Sequence, residues 1–490
     1  MKKKVLKKRE INLFNIIEEE IKQNSIRQGF SKNLIKYTKK IIKKKTDEHK
    51  DFTDIPFVTI DGEDSKDFDD AVWANYEKEK TKIMVAISDV SHFVSENDPL
   101  DLEAKKRGNS FYFPDRVIPM FPSEISNDIC SLVPKKRRKC IVIEVNFLND
   151  NFKDFKIHRA IIRSVARLTY KEVEEIYTTK SVRNKNFNLI SNLYETYFML
   201  KKKSEERGKI LFSSEEYKII LTSNEDFELK KKVSYQSYKL IEEFMVLANS
   251  VIGNFLKENK ITSLFRNHEK PSKEKIFNLK KIINENNIDF SSNFQNQKDF
   301  NDLLKKVKKK KNLFFFNEIL LKSQSKAYYN EKNKGHFGLS INHYVHFTSP
   351  IRRYSDLIVH RNLISAYFSN QKKKNFMISD HLNLQEKKAD YMERRIMERA
   401  CSVYLRKKTR YEFYGFIDAV ESFGIFIKAI DYPFSGLARL KRFNFKSDTK
   451  SKDNVFKVGQ MVKFKIKRNN IYNGKILLEK IRIVEKNEKF

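Results

Sequence analysis

The chain has 490 residues, with 99 Lys and Arg against 64 Asp and Glu and a formal net charge of +35. Such a surplus favours a polyanionic partner, nucleic acid foremost, although part of the lysine content fits codon bias in an AT-rich genome. Three cysteines without CxxC spacing argue against a disulfide frame or a structural zinc site, and no apolar run approaches the ~18 residues that span a bilayer.

Residues 1–50 are strongly basic with helical spacing, as in INLFNIIEEEIKQ and NLIKYTKKIIKKK. They read as a basic helical arm, either solvated or adding contacts to phosphates. The start, MKKKVLKKREINLF, has no apolar stretch behind its basic residues, so a signal peptide is not expected and the protein is placed in the cytoplasm. From Asp51 the texture changes. PFVTI and IMVAISDV (Ile83 to Val90) are short and rich in β-branched residues, and predict strands. Helices are predicted over Lys239 to Leu256, over Pro350 to Phe368, and from Leu382 to about Arg410. Mixed strands and helices across 51–408 predict one large α/β (α+β) domain.

The tail, 411–486, holds short alternating runs broken by Gly, Asp and Asn, which predict a small all-β barrel of the OB type. Phe416, Phe423 and Phe426 lie there among lysines and arginines. Exposed, they would stack bases of a single strand; otherwise they fill the barrel core. Neither GxGxxG nor GxxxxGK[ST] occurs, which argues against a dinucleotide fold or a P-loop.

The acidic stretch TIDGEDSKDFDD puts six carboxylates into the ten positions from Asp61 to Asp70. Like charges so close oppose one another's ionisation, and a divalent cation removes that penalty. Hard oxygen ligands with few neighbouring His or Cys favour Mg²⁺, with Mn²⁺ as the alternative. A calcium EF-hand fails on spacing, because its required Gly and Glu fall on Lys66 and Val72. A solvated acidic turn is the competing reading. Phe68, apolar between aspartates, favours a folded site.

In HFTSPIRRYSDLIVHR, Ser349 is a good N-cap and Pro350 suits the first helical position, so a helix is predicted to begin there. Arg352 and Arg353 then fall in its first turn, where the dipole disfavours cations unless an anion sits between them. A phosphate is the expected anion, and local ion pairing to Asp356 is the alternative.

These stretches, with VAISDVSHFV and LFRNHEKPS, resemble the signature segments of the RNase II / RNase R exoribonucleases, and the tail resembles their S-one-type RNA-binding barrel. The resemblance runs from about Asp51 onward. It implies an RNB catalytic domain and a Mg²⁺-dependent hydrolytic 3′→5′ exoribonuclease, processive on single-stranded RNA from its 3′ end, releasing nucleoside 5′-monophosphates. It also implies roles. Asp61, Asp67, Asp69 and Asp70 match the family's active-site aspartates; Asp61 and Asp70 ligate metal directly, Asp69 is the most sensitive for chemistry, and Asp67 supports the site. Arg352 matches the arginine on the scissile phosphate, Tyr112 a base-clamping aromatic, and Tyr170 the tyrosine near the terminal nucleotide. One of Glu242 and Glu243 matches a ribose contact, and Glu398 a helix glutamate near the substrate path. Fuller members carry two cold-shock-type barrels before the catalytic domain, and about 50 residues precede Asp51 here, so a short member is expected, with the basic arm partly substituting. In YKIIL, Ile219 stands where RNase II has a second clamping aromatic. His343, His346 and His360 are expected to be structural. A monomer is expected, with no membrane contact. The competing reading is a non-catalytic RNA-binding protein that uses the barrel and the arm; a nuclease acting on single-stranded DNA is the third.

Overall fold

The computed structural model describes residues 12–42, 49–77, 79–212, 215–222, 226–308, 313–369, 371, 378–408, 411–439 and 456–484. The extreme N-terminal lysines, residues 409–410, the LKRF end of the SGLARLKRF run and the last residues of the predicted barrel segment lie outside them. At the centre is a seven-stranded sheet made of β1 (Lys50–Asp51), β2 (Val58–Asp61), β3 (Asp70–Asn75), β4 (Lys80–Ser88), β5 (Arg137–Leu148), β6 (Asn151–Arg163) and β7 (Ala166–Thr169). The order is β1-β6-β5-β4-β3-β2-β7, with β1 and β7 added in parallel at the two edges. β4 is buried from Ile83 to Ser88, the continuous apolar run of a strand covered on both faces. Val58, Val72, Ile83, Val85, Ile141 and Ile143 serve one core, while Phe57, Phe68, Ala71, Met84, Ala86 and Val142 serve the other. The split follows the two-residue period of the pleat. β2 ends on Asp61 and β3 begins on Asp70, so the acidic stretch is the connection of one antiparallel pair.

Within its described residues the N-terminal segment is not a solvated arm. Its helices α1 (Leu13–Gln23) and α2 (Lys32–Ile41) are docked on the body. Leu13, Ile16, Ile17 and Ile21 are buried against Met392, Ile396 and Ala400 of a long C-terminal helix, and buried Glu20 accepts from Arg399 at 3.1 Å. The helical spacing was legible; the apolar stripe facing a partner decides that it packs.

Helix α3 (Tyr170–Thr178) starts directly from β7 through a capping box of Thr169 and Glu172. It leads to α4 (Phe187–Arg207), which ends at Gly208 in the left-handed region. Helix α5 (Gln236–Glu258) lies against the core formed by these elements. A Cβ on Gly253 would fall 2.5 Å from the His343 carbonyl oxygen, so only glycine lets α5 approach the segment leading to the arginines.

The helix carrying the second motif, α6 (Tyr354–Ser369), begins four residues later than predicted. Backbone pairing accounts for the shift: Ser110 N–H donates to the Arg352 carbonyl (3.0 Å) and Tyr354 N–H to that of Gly108 (2.9 Å). This holds 352–354 against 108–110, so the turn closed by the Arg353 N–H on the Ser349 carbonyl (2.9 Å) does not run straight into α6. The Ser349 hydroxyl accepts from Arg352 Nη2 at 2.9 Å instead of capping a helix, while its N–H donates to Asp356 Oδ1 at 2.8 Å. The last long helix, α7, spans Ser379–Leu405.

A closed five-stranded barrel follows, formed by β8 (Glu412–Glu421), β9 (Gly424–Ala429), β10 (Ser435–Arg439), β11 (Met461–Asn470) and β12 (Lys475–Ile483). Phe413, Ile417, Ile425, Ile427 and Phe464 fill it. The mixed α/β body and the OB-like barrel agree with the expected fold class. Phe416 does not agree with the expectation of an exposed base-stacking ring. It is 2% exposed and packs on Phe314 and Phe315 (centroids 5.7 and 5.1 Å), cementing the barrel to the body. Phe423 is 54% exposed, with the partly buried Phe426 edge-on at 6.1 Å. All three cysteines are buried and free, and no described helix is long and apolar enough to cross a membrane.

Candidate active site

The acidic loop is braced from three sides. Phe68 is buried, its N–H donates to the Ser131 hydroxyl (2.9 Å), and its carbonyl accepts from Leu132 N–H (2.9 Å). Ser131 in turn donates to the Lys66 carbonyl (2.9 Å). The Arg167 guanidinium from β7 donates to the carbonyls of Gly62 and Glu63 (2.5 and 2.6 Å). Ser88 N–H donates to the Asp69 carbonyl (2.8 Å), tying the loop's far end to β4. An exposed acidic turn would have none of this.

Asp69 is 4% exposed. Its Oδ1 accepts the Ile351 N–H at 2.8 Å, and Oδ2 stands 3.6 Å from Arg352 Nε. The acidic loop and the arginine turn, 282 residues apart in sequence, thus meet through one carboxylate. Asp67 Oδ2 accepts from the Tyr112 hydroxyl (2.8 Å), and Tyr112 lies on the strand that continues from 108–110, the partner of the arginine turn. Across the site, β7 pairs Thr169 with Asp61 and so places Tyr170 beside it. Tyr170 stacks on Tyr238 with centroids 4.1 Å apart.

Electrostatics link these groups. Burial, then the Asp70 charge, pushes the Asp61 carboxyl up, opposed by Arg167 and Arg352. Burial raises Asp69 and Asp70 as well, with Arg352 opposing in both. Burial, then Asp67, raises the Tyr112 hydroxyl, while burial followed by Asp70 and Asp61 raises that of Tyr170. A cluster so placed is short of positive charge. Asp61 Oδ2 and Asp69 Oδ2 are buried without a hydrogen-bond partner. Desolvated carboxylate oxygens left without a hydrogen bond suit a hard divalent cation. Among the described residues no three His, Cys, Asp or Glu side chains already stand at ligand spacing, so the aspartates form a donor set, not a closed cage.

The structure therefore brings together Asp61, Asp67, Asp69, Asp70, Arg352, Tyr112 and Tyr170. Other expected site residues stand differently. Arg353 does not face an anion site: its Nε and Nη2 donate to Asp356 at 2.9 and 2.6 Å, the local ion pair that was the alternative reading. Glu242 and Glu243 both accept from Lys209 Nζ, at 2.5 and 2.8 Å; Glu243 is buried and Glu242 exposed. Glu398 lies near the β11–β12 turn at Gly474 and pairs with Arg395 at 3.5 Å, with no contact to the aspartates. The histidines behave structurally: His360 Nε2 is 2.7 Å from the Phe347 carbonyl, and His346 Nδ1 is 2.7 Å from the Tyr329 hydroxyl. Sequence reasoning missed Arg167, Tyr238 and Lys209, since single cations and tyrosines carry no local signal in so basic a chain.

Residues 49–369 match the RNB domain family. Ribonuclease R of Buchnera aphidicola (subsp. Schizaphis graminum) is 35% identical over 460 residues, covering 87% of this chain and 63% of that protein. Ribonuclease R of Escherichia coli K12 is 33% identical over 461 residues, with 87% and 56% covered. The chain therefore spans less than two thirds of the length of these curated relatives. Mycoplasma genitalium RNase R, solved in complex with ribose methylated single-stranded RNA, is 28% identical with a TM-score of 0.89, over 95% of this chain and 78% of that one.

Proposed function

The chain belongs to the RNB domain family, and from that premise we propose that it is a divalent-metal-dependent 3′→5′ exoribonuclease that degrades single-stranded RNA to nucleoside 5′-monophosphates. The observation that carries the reading is the convergence of Asp61, Asp67, Asp69 and Asp70 with Arg352, held by the Asp69 bridge between the two motifs. The intact set counts against a protein that only binds RNA.

Asp61, Asp67, Asp69 and Asp70 are the residues that would hold Mg²⁺. A bound divalent ion supplies charge stabilisation to the attacking and leaving oxygens of an in-line displacement. Arg352 is partly exposed and is the group that would pair with the scissile phosphate, its planar donors suiting two phosphate oxygens. Tyr112, 47% exposed, and Tyr170, stacked from behind by Tyr238, offer faces for the last bases. Glu242 or Glu243 would accept from a ribose hydroxyl once Lys209 yields one of them, a basis for choosing RNA over DNA. Phe423 and Phe426 on the barrel would guide the strand inward.

We assign catalysis to 51–408 and strand binding to 411–486, in a cytoplasmic enzyme. The test is a matched pair of 3′-labelled RNA and DNA oligonucleotides incubated together with Mg²⁺. Early release of label as mononucleotide from RNA alone is expected; equal loss from DNA, or cleavage inside the RNA first, would overturn the proposal.

A further inference from the structure

We propose that a groove beside Trp73 is a second nucleotide site, separate from the carboxylate cluster. The groove has a volume of about 440 Å³ and an apolar floor that includes Pro56, Trp73, Val165 and Leu189. That volume lies within the range of small-ligand sites. Trp73 is three residues along β3 from Asp70, ~10 Å at the usual rise, and packs with Phe57 and Met84 on the sheet face opposite Val72. None of the aspartates of the cluster lines the groove.

The polar rim has a particular chemistry. It is built from Asn75, Lys185, Asn186, Asn188 and Asn192, with no Asp or Glu among the lining residues. Asn192 is fixed in place: its Oδ1 accepts the Tyr76 N–H at 3.1 Å and its Nδ2 donates to the Asn188 carbonyl at 3.0 Å. The Asn186 and Asn188 carboxamides and the exposed Lys185 ammonium make no hydrogen bond or ion pair with other described residues, Asn186 standing at the N-cap of α4 without a side-chain cap bond. Carboxamides carry donor and acceptor together, which matches the edge of a nucleobase. A partly exposed indole offers a face for its ring, and a lysine that makes no ion pair offers charge to a phosphate. A simple anion would not need the aromatic floor, and an aliphatic ligand would not need the amides. The ligand class is a nucleotide, either a free mononucleotide or one unstacked residue of an RNA strand.

Trp73 is the only tryptophan in the chain, so its emission reports on this groove. The experiment uses the full chain carrying Asp69→Asn, in EDTA, so that RNA is not consumed. Emission is titrated with AMP, with oligoadenylate, and with ribose 5-phosphate as the control that lacks a base. Saturable quenching by AMP or oligoadenylate is expected, and it should weaken by about three- to tenfold in Lys185→Glu/Asn188→Ala, the loss of one or two hydrogen bonds. Both substituted side chains are exposed, so the variant should fold. Quenching by AMP assigns the site to free nucleotide, and quenching by oligoadenylate alone assigns it to the RNA strand. No quenching by either, equal quenching in the variant, or ribose 5-phosphate acting as well as AMP would overturn the proposal.

Discussion

Asp69 joins the two motifs of the site: one carboxylate oxygen holds the Ile351 N–H at 2.8 Å, and the other faces Arg352 Nε at 3.6 Å. The substitution Asp69→Asn keeps the side chain's shape and its acceptor for Ile351 but removes the charge. Mononucleotide release should fall by at least about a thousandfold, the scale of losing a central electrostatic group, while RNA affinity changes little. Filter binding and product chromatography on the same preparation check both halves. Wild-type turnover in the variant would refute the role given to this residue.

The barrel offers a second contrast. Phe423→Ala should weaken binding of single-stranded RNA by about 1–3 kcal/mol, one lost stacking platform, without changing the melting temperature. Phe416→Ala should instead cost about 3–5 kcal/mol of stability, because it empties a site packed by Phe314 and Phe315. Urea unfolding and RNA titration of both variants would separate the two roles. A reversal of the pattern would contradict the placement of these rings.

The docking of α1 depends on a buried charge. Glu20 and Arg399 side chains are 2% and 4% exposed and lie 3.1 Å apart. Glu20→Ala leaves the guanidinium buried beside one remaining acceptor, Glu19 at 2.5 Å. A loss of about 3–5 kcal/mol is expected by chemical denaturation. A loss under about 1 kcal/mol would show the pair to be dispensable.

Acid sensitivity follows from a separate cluster at Asp89. Burial opposes its ionisation, but the hydrogen bond from His49 and the charge of Arg159 outweigh it and hold the carboxyl well below the usual range. Burial pushes neighbouring His92 down to about 4; Asp89 opposes this, and Lys139, His49 and Arg159 add to it. Both folded values lie below their unfolded ones, so both contributions are present at neutral pH. That of His92 is lost as pH falls from roughly 6.5 toward 4, and that of Asp89 below roughly 3.9. The raised carboxyls of the active site run in the opposite sense, so the comparison must be differential. His92→Gln should gain melting temperature relative to wild type as pH is lowered through the first window. A constant difference would contradict the linkage.

Much of the site was legible because its signal is local. The aspartates sit within one strand–loop–strand connection, and the apolar Phe68 between them marks a folded loop whose burial the structure bears out. The barrel and the main helices were legible from periodicity. What escaped depends on distant chain. The α6 start is displaced by pairing to 108–110, and Phe416 is claimed by an aromatic helix a hundred residues earlier in the chain. Capping rules and strand alternation see neighbours, and none of these partners is a neighbour.

The most direct test of the central claim is a time course with 5′-labelled single-stranded RNA, in Mg²⁺ and in EDTA, resolved by gel and by nucleotide chromatography. With Mg²⁺ the label should shorten progressively from the far end while nucleoside 5′-monophosphates accumulate; with EDTA the RNA should stay intact. Identical products in both tubes would mean that the clustered carboxylates do not work through a bound cation.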